Sequence, residues 1–79
     1  MLKVVVGNNA NRDQVLVDEN STLREVLEDN EVEYATGVMH LDGAPIEPGD
    51  LNKTFADLGY SGVESRIYLI NVVKTDNAA

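Results

Sequence analysis

Apolar residues recur at every second position at the start of the chain, in Leu2, Val4 and Val6, and β-branched residues dominate there. Residues 2 to 7 are therefore predicted to form a strand. The stretch Gly7-Asn8-Asn9-Ala10-Asn11-Arg12-Asp13 reads as a turn, because Gly and Asn tolerate positive φ and Asx side chains bond to their own backbone. Gln14 to Val17 returns as the second strand of a hairpin. After a loop at Asp18 to Ser21 the period changes. Leu23, Val26 and Leu27 fall on one helical face, with Arg24, Glu25, Glu28 and Asp29 on the other, and Thr22 followed three residues later by Glu25 is a capping-box pattern. A helix over residues 22 to 32 is expected.

Gly37 to Leu41 forms a third predicted strand, closed by Asp42-Gly43, a dipeptide favoured in type I′ hairpin turns. Ala44-Pro45-Ile46 is a short return strand, and Pro45, which cannot donate a ladder hydrogen bond, marks it as an edge. Pro48-Gly49-Asp50 turns the chain again, with Asp50 as a candidate N-cap for a helical turn over residues 51 to 58 that is pinned by Leu51, Phe55 and Leu58. A loop over 59 to 64 leads into a last strand, Ser65 to Val73, which is apolar on both faces and so belongs inside its sheet. Residues 74 to 79 are polar and expected to be a flexible tail.

Alternation also sorts the side chains. If Leu2, Val4 and Val6 face the helix, Val5 faces away, and Leu16 lies outside when Val15 and Val17 are inside. Val38 and His40 share that outer face. Either Tyr68, Ile70 and Val72 or Ile67, Leu69 and Val73 complete it, and the first set is favoured because tyrosine keeps its hydroxyl in water. Such an apolar face is the candidate interface, made of Val5, Leu16, Val38, His40, Tyr68 and Ile70.

A chain of 79 residues is expected to be one domain, too small for a deep water-excluding catalytic pocket. It has no cysteine, so packing alone holds the fold and neither zinc–thiolate nor iron–sulfur chemistry is available. No run reaches the roughly 20 apolar residues of a membrane span, and the first residues are too short an apolar run for a signal peptide, so a cytoplasmic location is expected. The formal charge is −8, and Lys3, Arg12, Arg24, Lys53, Arg66 and Lys74 are scattered along the sequence. That pattern speaks against nucleic acid and membrane lipid as partners. The acids between Asp18 and Glu33 suit either a solvated helix surface or a docking face for a basic partner.

The order strand, strand, helix, strand, short strand, helical turn, strand resembles the ubiquitin-like β-grasp over residues 2 to 73. Thr22-Leu23-Arg24-Glu25-Val26 resembles the start of the ubiquitin helix, and Leu41-Asp42-Gly43-Ala44-Pro45-Ile46 its turn between strands three and four. The resemblance implies an α+β fold in the order ββαββ, with a mixed four- to five-stranded sheet on one helix and the last strand between the first and third. Conjugated modifiers and sulfur carriers of this fold end in a diglycine, which this sequence lacks, and plant-type ferredoxins need four cysteines. The remaining implication is a small bacterial-type, non-conjugated protein-binding module, an adaptor or assembly subunit, with a homodimer as one possible use of the sheet face. A degenerate or processed modifier or sulfur carrier working with an adenylating enzyme is the alternative.

No catalytic, cofactor or metal residue is assigned. His40 has no ligand partner at a recognisable spacing, and in the ubiquitin-like frame it stands where ubiquitin carries the central isoleucine of its recognition patch. The hydroxyls Ser21, Thr22, Ser61 and Ser65 lie in no nucleophile elbow, and there is no second histidine to act as base. Gly59-Tyr60-Ser61-Gly62 lacks the Gly-Lys-Ser/Thr signature of a phosphate loop.

Overall fold

The computed structural model describes residues 1–8 and 10–72. Five strands and one α-helix follow the chain as β1 (Leu2–Asn8), β2 (Arg12–Val17), α1 (Leu23–Asp29), β3 (Val38–Leu41), β4 (Ala44–Pro45) and β5 (Ile67–Val72), with a 3₁₀ turn at Pro48–Asn52 before β5. The strands form one mixed sheet in the order β2-β1-β5-β3-β4. β5 lies parallel to β1 and antiparallel to β3, so the last strand is central, as its apolar sequence requires. β4 is an edge, where Pro45 needs no ladder partner. This is the ubiquitin-like α+β β-grasp. Residues 74–79, read as a tail, and Val73 lie outside the described residues.

The core fills the space between the sheet and α1. Leu2, Val4, Val6 and Val17 meet Leu23, Val26 and Leu27 of the helix, and Met39, Leu41, Ile67 and Leu69 complete the inner face. Phe55 is wholly buried and sits edge-on to Tyr60 at 6.5 Å between ring centroids. The segment that carries it is stitched to the approach to α1, since Leu23 N donates to the Lys53 carbonyl at 3.1 Å and Phe55 N to that of Ser21 at 3.3 Å. One inner-face residue is polar. Asn71, 1% exposed, donates from Nδ2 to the Glu33 carbonyl at 2.5 Å and so ties the loop after α1 to the central strand.

Several boundaries differ from the sequence reading. The first turn is tighter: β2 begins at Arg12, Asn8 N donates to the Asn11 carbonyl, and Asn8 Oδ1 accepts from Ala10 N and Asn11 N. A Cβ on Gly7 would stand 2.0 Å from the Asn11 carbonyl oxygen, so only glycine fits this approach. The helical turn runs over Pro48–Asn52, with Glu47 rather than Asp50 at the N-cap; Asp50 stands three residues in, and its Oδ2 accepts from Glu47 N at 3.1 Å. β5 begins at Ile67, two residues later than expected.

α1 starts where the capping box places it: Thr22 Oγ1 accepts from Glu25 N at 3.1 Å and Glu25 Oε1 from Thr22 N at 3.3 Å. It stops at Asp29 because Glu31 takes a left-handed φ of 57°. Glu31 N then donates to the Glu28 carbonyl and Val32 N to the Leu27 carbonyl, the paired bonds of a Schellman motif, with Val32 packed on the core. Glycine is the usual residue at that position, and the acidic one hid the stop.

Two stability changes are expected. Phe55→Ala should cost roughly 3–5 kcal/mol in urea denaturation, a large part of what holds a domain with about 0.05–0.15 kcal/mol per residue. A small change would mean that the 53–56 segment is not part of the core. Glu31→Gly should stabilise the chain by roughly 0.5–1 kcal/mol, the left-handed penalty less the entropy that glycine loses on folding, and raise the melting temperature by about 2–8 °C. Glu31→Ala should give no such gain.

Candidate functional site

The helix covers one face of the sheet and leaves the other to solvent. Along β1, Lys3, Val5 and Gly7 point outward, because Leu2, Val4 and Val6 are buried. In β5 the outward set is Tyr68, Ile70 and Val72, since Ile67, Leu69 and Asn71 face the helix. The register aligns one outward row as Arg12, Gly7, Ile70, His40 and Pro45 and another as Gln14, Val5 and Tyr68. Val38 stands opposite Val72.

All six residues of the sequence-derived patch lie on this face, but not as one uniform surface. Tyr68 and Val38 are 41% and 47% exposed, and Ile70 is only 6% exposed. Ile70 is a floor: it stands apart from the helix-side core, flanked by Gly7 and His40 across the sheet and by Tyr68 and Val72 along its strand. Leu16, 64% exposed, pairs with Lys3 toward the outer edge of the sheet and does not line the same depression as Ile70.

That depression is an open groove of about 600 Å³, lined by Tyr68, Ile70, Val72 and His40, by Asp42 and Gly43 at one end, and by Arg12 and Arg66. Gly7 stands between Arg12 and Ile70 in the row, with the Asn11 carbonyl and the Arg12 backbone closed over it. Asp42 and Gly43, with φ of 51° and 85°, form the type I′ turn expected of this dipeptide. Both carboxylate oxygens of Asp42 accept a hydrogen bond: Oδ1 from Tyr68 N at 2.9 Å and Oδ2 from the Tyr60 hydroxyl at 2.9 Å. Asp42 N donates in turn to the Tyr68 carbonyl at 2.8 Å, so this one residue fixes the groove's end to the central strand. His40 Nδ1 lies 3.0 Å from the Val38 carbonyl, which can only accept, and among the described residues Nε2 has no hydrogen-bond partner.

Three of the chain's six basic residues, Lys3, Arg12 and Arg66, stand on the outer side of the sheet; Arg12 and Arg66 line the same groove, whereas Lys3 pairs with Leu16 outside it. Arg66 Nε donates to Gln14 Oε1 at 2.8 Å and Arg12 Nε to the Asn8 carbonyl at 3.3 Å. Both acceptors are neutral. Among the described residues the salt bridge is Lys53 to Asp50 at 3.1 Å, at the 3₁₀ turn and not in the groove lining, and it lowers the Asp50 carboxyl's pKa together with the Glu47 backbone N–H.

The acids collect on the helix side, where Glu25, Glu28 and Asp29 are exposed as expected. Glu28 accepts from the Tyr34 hydroxyl at 2.7 Å, which raises that phenol's pKa, and Arg24 lies 5.9 Å from the centre of the same ring. The candidate nucleophiles have structural duties: Thr22 caps α1, and the Ser61 hydroxyl donates to Glu19. No group of three or more His, Cys, Asp or Glu side chains placed to hold a metal is present among the described residues. No helix among them is long and apolar enough to cross a membrane.

Neither a family model nor a curated protein matches the chain. Among solved structures it is similar to the EccD5 ubiquitin-like domain from Mycobacterium xenopi, at 18% identity over 94% of this chain and 97% of that one, with a TM-score of 0.41. Neither figure is high enough to carry more than the likeness itself; the strand order and register above define the fold.

The Tyr60 phenol is pushed above its ordinary pKa by burial first and by its hydrogen bond to Asp42 second. A raised phenol means that the folded state holds its proton after the unfolded chain has lost it, so this contribution is complete below the unfolded value of about 10 and fades as pH rises through the folded one. Stability should therefore fall above about pH 10. Asp42→Asn should bring the Tyr60 transition down toward the ordinary value in an ultraviolet phenolate titration, with Tyr60→Phe identifying which transition moves. An unmoved transition would mean that burial alone raises it.

Proposed function

We propose that this chain is a non-catalytic protein-binding module, an adaptor or assembly subunit acting in the cytoplasm, and that it binds through the outer face of its sheet. The observation that carries this is the groove over Tyr68, Ile70 and Val72: apolar on its floor, rimmed by cations, and left open by a fold that has only one helix to cover two faces. Patches of that kind on a small acidic protein mark interaction surfaces. Thr22, Ser61 and His40 bond to Glu25 N, the Glu19 carboxylate and the Val38 carbonyl rather than to one another.

The test uses exposed positions that folding does not need. Tyr68→Asp and Val38→Asp should change stability by less than about 1 kcal/mol and should abolish co-purification of whatever protein the unaltered chain retains from its native cells. Glu28→Gln combined with Asp29→Asn on the helix should leave that retention intact. Retention of the same protein by both sheet variants, with loss in the helix variant, would move the interface to α1.

A further inference from the structure

We propose that the groove takes a short acidic segment of a partner protein, with an apolar side chain seated over Tyr68, Ile70 and Val72 and carboxylates flanking it on Arg12 and Arg66. This rests on the sheet-face reading above and adds the chemistry of the partner. The two arginines carry it. Each is steadied through Nε by a neutral acceptor, Gln14 Oε1 for Arg66 and the Asn8 carbonyl for Arg12, so each is placed without being neutralised. Among the described residues no partner takes the terminal nitrogens of either guanidinium group, which can present donors to a carboxylate in the planar pairing for which arginine is suited. Asp42, the acid lining the groove, is held at its end by Tyr68 N and the Tyr60 hydroxyl, one carboxylate against two guanidinium groups.

The other occupants fit less well. Two copies meeting face to face would join this patch to itself and gather four arginines in one contact with two Asp42 carboxylates to offset them. Phosphate backbones offer nothing to an apolar floor and meet a chain of net charge −8. A short segment feels mainly the local field: the helix acids lie beyond the sheet and across a helix about 10 Å wide, more than the screening length of about 8 Å at physiological ionic strength.

The experiment is a titration of the whole isotopically labelled chain, followed by amide chemical shifts, with three capped peptides: Asp-Asp-Leu-Phe-Leu-Asp-Asp and its analogues with every Asp replaced by Ser or by Lys. The acidic peptide should move Val5, Tyr68, Ile70 and Val72, bind at least about tenfold more tightly than the serine peptide, and weaken with added salt. Arg12→Gln with Arg66→Gln should erase that tenfold preference, and Arg12→Glu with Arg66→Glu should transfer it to the lysine peptide. Serine or lysine peptides that bind the groove of the unaltered chain as tightly as the acidic one would overturn the acidic partner while leaving the interface standing. No shift on this face with any peptide would overturn both. Tighter binding of oligothymidylate or phosphatidylserine vesicles than of the acidic peptide, lost in the arginine variants, would assign the face to phosphate instead. Sedimentation of the free chain as a dimer that the arginine variants strengthen would assign it to a second copy.

Discussion

One helix can shield only one face of a five-stranded sheet, and the rest of the structure follows from that limit. The inner face is packed with aliphatic side chains around Phe55 and has no exposed member among its central residues. Burying each such side chain is worth roughly 1.5–3 kcal/mol, so strand parity on that side is enforced strongly. The outer face inherits whatever stands at the alternate positions, and in this chain those are Lys3, Val5, Gly7, Arg66, Tyr68, Ile70 and Val72. A character for that face is therefore written between the core positions, at low cost to the core.

Much of this could be read from the residues in order. Alternation in Leu2 to Val6 and helical spacing in Leu23 to Leu27 fix the inner sides of β1 and α1, and Thr22 with Glu25 and Asp42 with Gly43 fix two chain reversals through local bonds and local torsions. The preference for Tyr68 on the outer face follows from its hydroxyl alone and agrees with the strand's orientation. What could not be read is what register decides. Arg12 and Arg66 are far apart in sequence and come to line one groove only because β2, β1 and β5 lie side by side. The end of α1 was hidden for a different reason: a glutamate occupies the left-handed position after the helix, and no propensity points to a stop there.

Two polar residues hold parts of the fold that the apolar core does not reach. Asn71 sits in the inner face and reaches the Glu33 carbonyl, giving the irregular chain between α1 and β3 an anchor on the central strand. Asp42 does the same on the opposite side, joining its turn to β5 and to Tyr60, whose ring packs on Phe55. The groove end and the Phe55 segment are thus linked through one carboxylate and one phenol.

The central place of β5 has a consequence for how the protein is made. β5 supplies the only neighbour that β1 and β3 share, and it is the last strand of the described chain to leave the ribosome. Until residues 67–72 are synthesised, the β1–β2 hairpin and the β3–β4 hairpin are separate pieces, and the helix has half a sheet on which to lie. Translation at about 5–20 residues per second delivers these pieces well before it delivers the strand that joins them. The sheet therefore cannot be completed, nor its two hairpins joined, until the final strand slots between them.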